Sequence, residues 1–184
     1  MATFTKRVLA DTLKKMMSEK PLTQITVKDL VETCSINRQT FYYHFQDIYE
    51  LLGWIYQTEA IDSIENYKSY ATWQQGLSTI FQYVQDNHIL CISTYRSLGR
   101  EHLERFLNDI LNTLIGGVVE ELAEPYQLSK DHKAFIIKFY SYAFTGTLLE
   151  WIGTEMKTPY EEIVKDISIT VKGNVLSAIK GFQK

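Results

Sequence analysis

A run of hydrogen-bonding side chains occupies residues 37–44, in the order Asn-Arg-Gln-Thr-Phe-Tyr-Tyr-His. On a helix of about 100° per residue with Phe41 at the centre of the buried face, Phe45 lies only about 40° away, so both rings face inward. Gln39 and Tyr43 then point outward. The amide of Gln39 matches the donor and acceptor pair at N6 and N7 of adenine, and Tyr43 suits a thymine methyl group or a phosphate. The pattern indicates the chemistry of base recognition.

Neighbouring polar side chains suit the phosphate walls of a DNA groove. Thr40 and Tyr42 project to the two flanks of the same helix, and His44 follows them. Upstream, Thr26 and Lys28 stand at the start of a preceding helix, where the positive end of the helix dipole and a cation favour a further phosphate. The candidate DNA-contacting residues are Thr26, Lys28, Asn37, Arg38, Gln39, Thr40, Tyr42, Tyr43 and His44.

Three helices are needed to position these side chains. An amphipathic first helix ends before Pro21, and Thr26 with Asp29 has the spacing of a capping box that opens the second. Asn37 is a favourable N-cap for the third helix, with only two residues between it and Cys34. Two helices joined by so tight a turn can place the second of them in the major groove of DNA.

The charge of the chain is unevenly distributed. The net charge is −3, whereas residues 1–45 carry seven Lys and Arg against four Asp and Glu, a local charge of +3 that leaves −6 for the remainder. A basic first part on an acidic body suits a chain whose beginning meets a polyanion.

The rest of the chain predicts more helices and no strands. Only 3 Pro and 9 Gly interrupt the 184 residues, and apolar residues recur at helical spacing. Helices are expected over residues 48–64, 72–86, 88–98, 103–124, 129–152 and 160–182. We therefore predict an all-α fold of about nine helices, with a helix-turn-helix DNA-binding domain over 1–47 and a helical regulatory and dimerisation domain over 48–184.

The segment from Val31 to Phe45 resembles the helix-turn-helix of the TetR family of bacterial transcription regulators, which runs apolar-x-x-Ala-Gly-Val-Ser-x-x-Thr-Phe-Tyr-x-His/Tyr-Phe. Here it reads Val-Glu-Thr-Cys-Ser-Ile-Asn-Arg-Gln-Thr-Phe-Tyr-Tyr-His-Phe. The likeness covers residues 4–52 in motif and the rest in helix number and length. Two positions depart from the family pattern: Ser35 stands for the usual turn glycine, and Gln39 for a small residue. Ser35 is therefore expected to adopt a left-handed or strained conformation, which glycine tolerates at lower cost.

The resemblance implies a homodimer whose last two long helices pack against those of a second copy. The helix over 129–152 supports this independently, because it is apolar on nearly every side and needs more than one partner to cover it. The candidate interface residues are Phe139, Tyr142, Ala143, Gly146, Leu149, Ile163, Ile167 and Val171.

The run from Tyr142 to Ile152 is also similar to the TetR subgroup associated with dihydroxyacetone kinase genes. That likeness implies transcriptional activation and a signal that arrives through a protein co-regulator. A small-molecule effector is the other kind of signal left open. Five aromatic residues are candidates for lining its pocket, although aromatic residues at helical spacing more often form core: Trp54, Trp73, Phe81, Tyr95 and Phe106.

The residue pattern does not indicate an enzyme, a cofactor site or a metal site. The chain lacks the G-x-S-x-G, P-loop, G-x-G-x-x-G and H-E-x-x-H motifs, and His88 with Cys91 has no third ligand nearby. The longest uncharged apolar stretch, 139–149, is too short to span a bilayer. With two cysteines, no C-x-x-C spacing and no signal peptide, a cytoplasmic location is expected.

Two functions of different class follow from these observations. The first is a sequence-specific DNA-binding regulator that binds a palindromic operator as a homodimer, with its DNA affinity or activity controlled through the C-terminal domain. The alternative is a helical sensor or adaptor that binds a protein partner and has no DNA activity. The residues leave open the operator sequence, the effector, the regulated genes and the choice between repression and activation.

Overall fold

Ten α-helices and two short 3₁₀ helices make up the regular structure of the described residues, which are 2–60, 62–97 and 99–183 of a computed structural model. Within these ranges no strand occurs, so the all-α prediction is confirmed. Ile61 and Leu98, which the predicted fourth and sixth helices include, lie outside the described residues. The α-helices are α1 (Ala2–Glu19), α2 (Val27–Thr33), α3 (Arg38–His44), α4 (Ile48–Ala60), α5 (Trp73–Asp86), α6 (His88–Tyr95), α7 (Arg100–Ala123), α8 (Lys130–Gly153), α9 (Tyr160–Val171) and α10 (Asn174–Gly181), and the 3₁₀ helices are Leu22–Gln24 and Asp62–Tyr67.

The helices form two compact units. The first comprises Met1–Glu59 and Asn87–Phe106, and the second comprises Ala60–Asp86 and Leu107–Lys184. The predicted helix-turn-helix domain, 1–47, lies within the first unit, which also includes α4 up to residue 59, α6 and the first turns of α7.

The first unit is organised around a buried tyrosine of α4. The Tyr56 hydroxyl donates a 2.9 Å hydrogen bond to Oγ1 of Thr94 on α6, and both residues are fully buried. The ring of Tyr56 stacks on Phe106, with 4.8 Å between centroids. A buried hydroxyl must be hydrogen-bonded, so this pair fixes one register of α4 against α6.

The second unit depends on close approaches that only glycine permits. A Cβ built on Gly76 of α5 would lie 2.6 Å from Cδ1 of Leu114 and 2.9 Å from Cβ of Tyr67. At Gly117 of α7 a Cβ would collide with the backbone carbonyl of Lys68. These two glycines let α5 and α7 pack tightly against Tyr67 and Lys68, at the end of the second 3₁₀ helix, and let α5 approach α7.

The predicted last helix, 160–182, is two helices in the structure. Gly173 has φ +76°, a left-handed conformation that ends α9 and serves as the N-cap of α10. The apolar stripe continues across the break, with Val175 and Ile179 buried, so spacing alone predicted one helix.

Candidate nucleic-acid interface

Side-chain caps fix the starts of α2 and α3. Thr26 and Asp29 form the predicted capping box: the Asp29 N–H donates to the Thr26 hydroxyl at 3.2 Å, and the Thr26 N–H donates to the Asp29 carboxylate at 3.0 Å. The Thr26 backbone and side-chain hydrogen bonds, aided by Lys20, hold the pKa of Asp29 below its ordinary value. At α3, Oδ1 of Asn37 accepts from the Gln39 N–H at 2.8 Å, as predicted.

The turn between the two helices is left-handed at Ser35, with φ +54°. The Ile36 N–H donates to the Val31 carbonyl at 2.9 Å and closes the turn across the end of α2. The predicted conformation of Ser35 is therefore confirmed, and the chain reverses here without the glycine usual at such a position.

Two phenylalanines anchor α3 from behind. Phe41 and Phe45 are buried, and their ring centroids lie 6.0 Å apart. On the opposite face Gln39 is exposed and Tyr43 has 83% of its surface exposed. The helix thus has the predicted inward and outward sides, with an amide and a phenol free to meet a base edge.

The flanks of α3 carry a preformed cation and phenol pair. Nη2 of Arg38 donates to the Tyr42 hydroxyl at 3.2 Å, and the guanidinium carbon lies 5.5 Å from the Tyr42 ring centroid. Tyr42 is 48% exposed, whereas Thr40 and His44 are half-buried. Arg38 and Tyr42 therefore offer donors together, in a form that suits a phosphate.

The remaining candidate contacts are also on the surface. Thr26, Lys28 and Asn37 are exposed. Lys28 lies 3.9 Å from a Glu32 carboxylate oxygen, a surface pair one helical turn apart that costs little to break. Asn37 already uses its side-chain oxygen as a cap, so only its amide N–H groups are left for DNA.

The candidate dimer face is an exposed stripe on α8. Phe139 and Tyr142 expose more than half of their surface, and Ala143 and Gly146 are exposed beside them. Sequence reasoning missed Phe135, which is 61% exposed one turn before Phe139 and continues the stripe. Its position at i−4 from Phe139 was the available signal.

Leu149 is the most deeply buried of the candidate interface residues. It is only 8% exposed, because α8 turns this side into the core of its own unit, so little of its surface is left for a partner. Ile163, Ile167 and Val171 of α9 are half-buried, since α9 packs against α5 and α10. Because α8 is apolar on nearly every side, its sequence does not indicate which side is buried within its own chain.

Of the five aromatic residues predicted to line a pocket, two lie in the second unit and three in the first. Trp73 alone of these lines a cavity of about 890 Å³ in the second unit, where its ring lies 6.3 Å from that of Phe144. Phe81 is fully buried, with its ring 5.2 Å from that of Trp151. The other three belong to the first unit, and each packs there against a ring or a cation: Trp54 on Phe45, Phe106 on Tyr56, and Tyr95 under Arg100.

Neither cysteine has the surroundings of a reactive thiol. Cys91 is fully buried, and burial raises its pKa to about 12. Burial also raises the pKa of the half-buried Cys34. Across the described ranges, no three His, Cys, Asp or Glu side chains gather as metal ligands would, and no helix is both long and apolar enough to cross a membrane.

Comparison with known proteins identifies related chains. The family model described as "Bacterial regulatory proteins, tetR family" matches residues 9–53, and that described as "Transcriptional regulator C-terminal region" matches residues 71–173. A curated relative, "HTH-type dhaKLM operon transcriptional activator DhaS" of Lactococcus lactis subsp. lactis (strain IL1403), is 28% identical over 172 residues, which is 91% of each chain. A solved structure, "Dihydroxyacetone kinase operon activator DhaS", aligns over 98% of each chain with a TM-score of 0.68 and 26% identity.

The helix-turn-helix match falls on the capped helices and the outward face of α3, and the second match takes in more than half of the chain. Regulators of this kind bind DNA and are not enzymes, which supports the DNA-binding regulator over an adaptor without DNA activity. The chain belongs to the TetR family of bacterial transcription regulators.

Proposed function

We propose that the chain binds a palindromic DNA operator as a homodimer, with α3 of each subunit in the major groove. The observation that carries the proposal is the two-sided character of α3, where Phe41 and Phe45 are buried while Gln39 and Tyr43 are exposed. Gln39 reads a base edge and Tyr43 contacts a thymine methyl group or a phosphate.

The other polar residues of the helix-turn-helix hold the phosphates on either side. Arg38 and Tyr42 already lie together in the free protein, so little ordering is needed when a phosphate binds between them. The net charge of +3 over residues 1–45 adds a longer-range attraction. The residues assigned to backbone contacts are Thr26, Lys28, Asn37, Arg38, Thr40, Tyr42 and His44.

The dimer is built on the α8 stripe, which we define as Phe135, Phe139, Tyr142 and Gly146. These positions recur every three or four residues, so they fall along one face of the helix. Three of the four are aromatic and more than half exposed, an uncommon cost for a monomer in water. A second copy of the same stripe across a two-fold axis covers them, with Gly146 allowing the helices to approach closely.

Control acts through the second unit, and we propose activation by a protein co-regulator. The curated relative and the solved structure are both described as operon activators. The cavity of the second unit is lined by buried aromatic residues, which include Trp73 and Phe144, and by exposed charged residues, which include Lys165 and Lys172. At about 890 Å³ it is far larger than dihydroxyacetone, the substrate of the kinase after whose operon the solved relative is named. A protein surface fits this arrangement better than a three-carbon sugar.

A mobility-shift titration with the DNA upstream of the regulated genes tests the proposal. If each subunit neutralises about three phosphates, the logarithm of the dimer's affinity falls with the logarithm of salt concentration at a slope of roughly −5. Tyr42→Ala weakens the shift, whereas Lys15→Ala, an exposed change on α1, leaves it unchanged. A wild-type protein that gives no salt-sensitive shift contradicts the proposal.

The nature of the signal is tested in the same assay. Dihydroxyacetone added alone is expected to change neither operator affinity nor the tryptophan emission of the protein, to which Trp73 of the cavity contributes. A saturable change in that emission with dihydroxyacetone alone would instead identify a small-molecule effector.

A further inference from the structure

The ammonium group of Lys6 lies over two aromatic rings that belong to other segments of the first unit. Its Nζ is 5.2 Å from the ring centroid of Phe45, the residue that directly follows α3, and 5.7 Å from that of Trp54 on α4. Both distances fall within the range of cation–π attraction. One side chain in the first turns of α1 therefore touches the end of α3 and the second turn of α4.

The rings beneath Lys6 continue to the buried side of α3. Phe45 and Trp54 meet edge to face at 6.1 Å, and Phe45 contacts Phe41 at 6.0 Å. Phe41 in turn meets Tyr42 edge to face at 5.5 Å. A chain of ring contacts thus joins the Lys6 site to the surface that we assign to DNA.

Among the described residues, the Lys6 ammonium group interacts with the aromatic rings of Phe45 and Trp54. Lys6 is half-buried, and over the ranges the structure describes it forms no ion pair with a carboxylate. Lys14, farther along α1, instead pairs with Glu59 at the far end of α4. A half-buried ammonium group is partly removed from water, so its cation–π attraction to aromatic rings is stronger than that of an exposed ammonium group.

We propose that Lys6 is a positioning residue for DNA binding, which fixes the angle of α3 against α1 and α4 through Phe45 and Trp54. The residue acts from behind the helix, so that Gln39 and Tyr43 are presented at the angle the groove requires. This inference rests on the proposed role of α3, and it assigns to Lys6 a task distinct from a phosphate contact.

Two substitutions separate the charge from the length of the side chain. Lys6→Met keeps an unbranched apolar stem and removes the cation, whereas Lys6→Arg keeps a cation that can lie over the same rings. Lys15→Met is the matched control, because it makes the same change at an exposed position of α1. Operator affinity as a function of salt and tryptophan emission of the free protein are measured for each variant, and thermal unfolding verifies that each one is folded.

Lys6→Met is expected to weaken operator binding about three- to tenfold with an unchanged salt slope, because the lost contact is to aromatic rings. Its tryptophan emission is expected to shift, and the shift to vanish when the same change is made in a Trp54→Phe background. Lys6→Arg is expected to retain affinity within about twofold, and Lys15→Met to match wild type.

Two results overturn the inference. If Lys6→Met lowers the magnitude of the salt slope by about one for each subunit, Lys6 is a phosphate ligand. If Lys6→Met leaves either operator affinity or tryptophan emission as in wild type, Lys6 does not position α3 for DNA binding through these rings. Failure of the wild-type protein to bind DNA would contradict the proposed function instead, and the emission measurement on the free protein keeps the two failures distinct.

Discussion

At the scale of the residue, the side chains of α3 fall into two groups: those that pack the helix against its own unit and those that recognise DNA bases in the proposed complex. Phe41 and Phe45 supply the packing, while the amide of Gln39 and the phenol of Tyr43 remain in solvent. Exposing a tyrosine to 83% gains nothing for folding, so its value lies in binding. The same reasoning applies to the exposed amide of Gln39, which can both donate a hydrogen bond to an adenine and accept one from it.

Replacing Gln39 by Ala is expected to relax sequence discrimination at one base pair in each half-site. A bidentate amide-to-adenine contact contributes about 1–3 kcal/mol of discrimination, and its loss spares the phosphate contacts. Competition binding with operators altered at single positions measures the effect. An equal loss of affinity for all of these operators would show that Gln39 does not read a base.

Ser35 gives a stability test within the turn. Because its φ is +54°, Ser35→Gly is expected to stabilise the protein by about 0.5–1 kcal/mol, and Ser35→Val to destabilise it by about 1–2 kcal/mol. Chemical denaturation of the two variants and the wild type measures the direction of both changes in the free energy of unfolding. Equal stability of the glycine and valine variants would contradict a left-handed turn.

At the scale of the element, the helix-turn-helix could be predicted because its signals are local. The capping box at Thr26, the N-cap at Asn37 and the spacing of Phe41 and Phe45 lie within about twenty residues. Each agrees with the others, and none depends on distant parts of the chain. The face of α3 therefore followed from the sequence.

Features set by distant contacts could not be predicted. The apolar stripe runs unbroken past Gly173, so nothing in its period marks the end of α9. Leu149 sits on a helix that is apolar all round, and only the packing of unit two shows that it faces inward. Trp54, Tyr95 and Phe106 are packing groups of the first unit, which helical spacing cannot distinguish from pocket residues.

The capping box of α2 gives a test that combines stability and pH. Thr26→Ala is expected to cost about 1 kcal/mol, since it removes the side-chain acceptor for the Asp29 N–H. The pKa of Asp29 is expected to rise only part of the way to its ordinary 3.8, because the backbone N–H of residue 26 still donates to the carboxylate. Carbon-detected NMR titration measures the pKa, and denaturant unfolding measures the stability.

The sign of the pH dependence follows from the direction of the shift. The folded-state pKa of Asp29 lies below 3.8, so the ionised carboxylate stabilises the folded protein above that pH. This contribution is lost as the pH falls through the lower folded-state value. An unchanged Asp29 pKa in Thr26→Ala would show that the hydroxyl takes no part in the shift.

At the scale of the whole molecule, the account requires two copies. A palindromic operator presents two half-sites, and the two recognition helices must lie about one DNA turn apart, or a multiple of it. The α8 stripe provides the surface for the pairing, because Phe135, Phe139 and Tyr142 are each more than half exposed in the isolated chain. Dimerisation doubles the number of phosphate contacts, so the pair binds DNA far more tightly than one short helix does alone.

Phe139→Glu is expected to raise the dimer dissociation constant at least a hundredfold, because it places two carboxylates in an apolar contact. Sedimentation equilibrium measures the change, and Phe4→Glu, at an exposed aromatic of α1, serves as the matched control. If Phe139→Glu remains as dimeric as Phe4→Glu, the pairing surface lies elsewhere.

Photo-crosslinking from position 43 to operator DNA tests the central claim most directly. A photoreactive phenylalanine in place of Tyr43 on α3 is expected to crosslink to bases within each half-site, whereas the same group in place of Lys15 on α1 is expected to yield no base crosslinks. If the Tyr43 derivative still retards the operator but forms no crosslink to it, α3 does not enter the groove and the account is wrong.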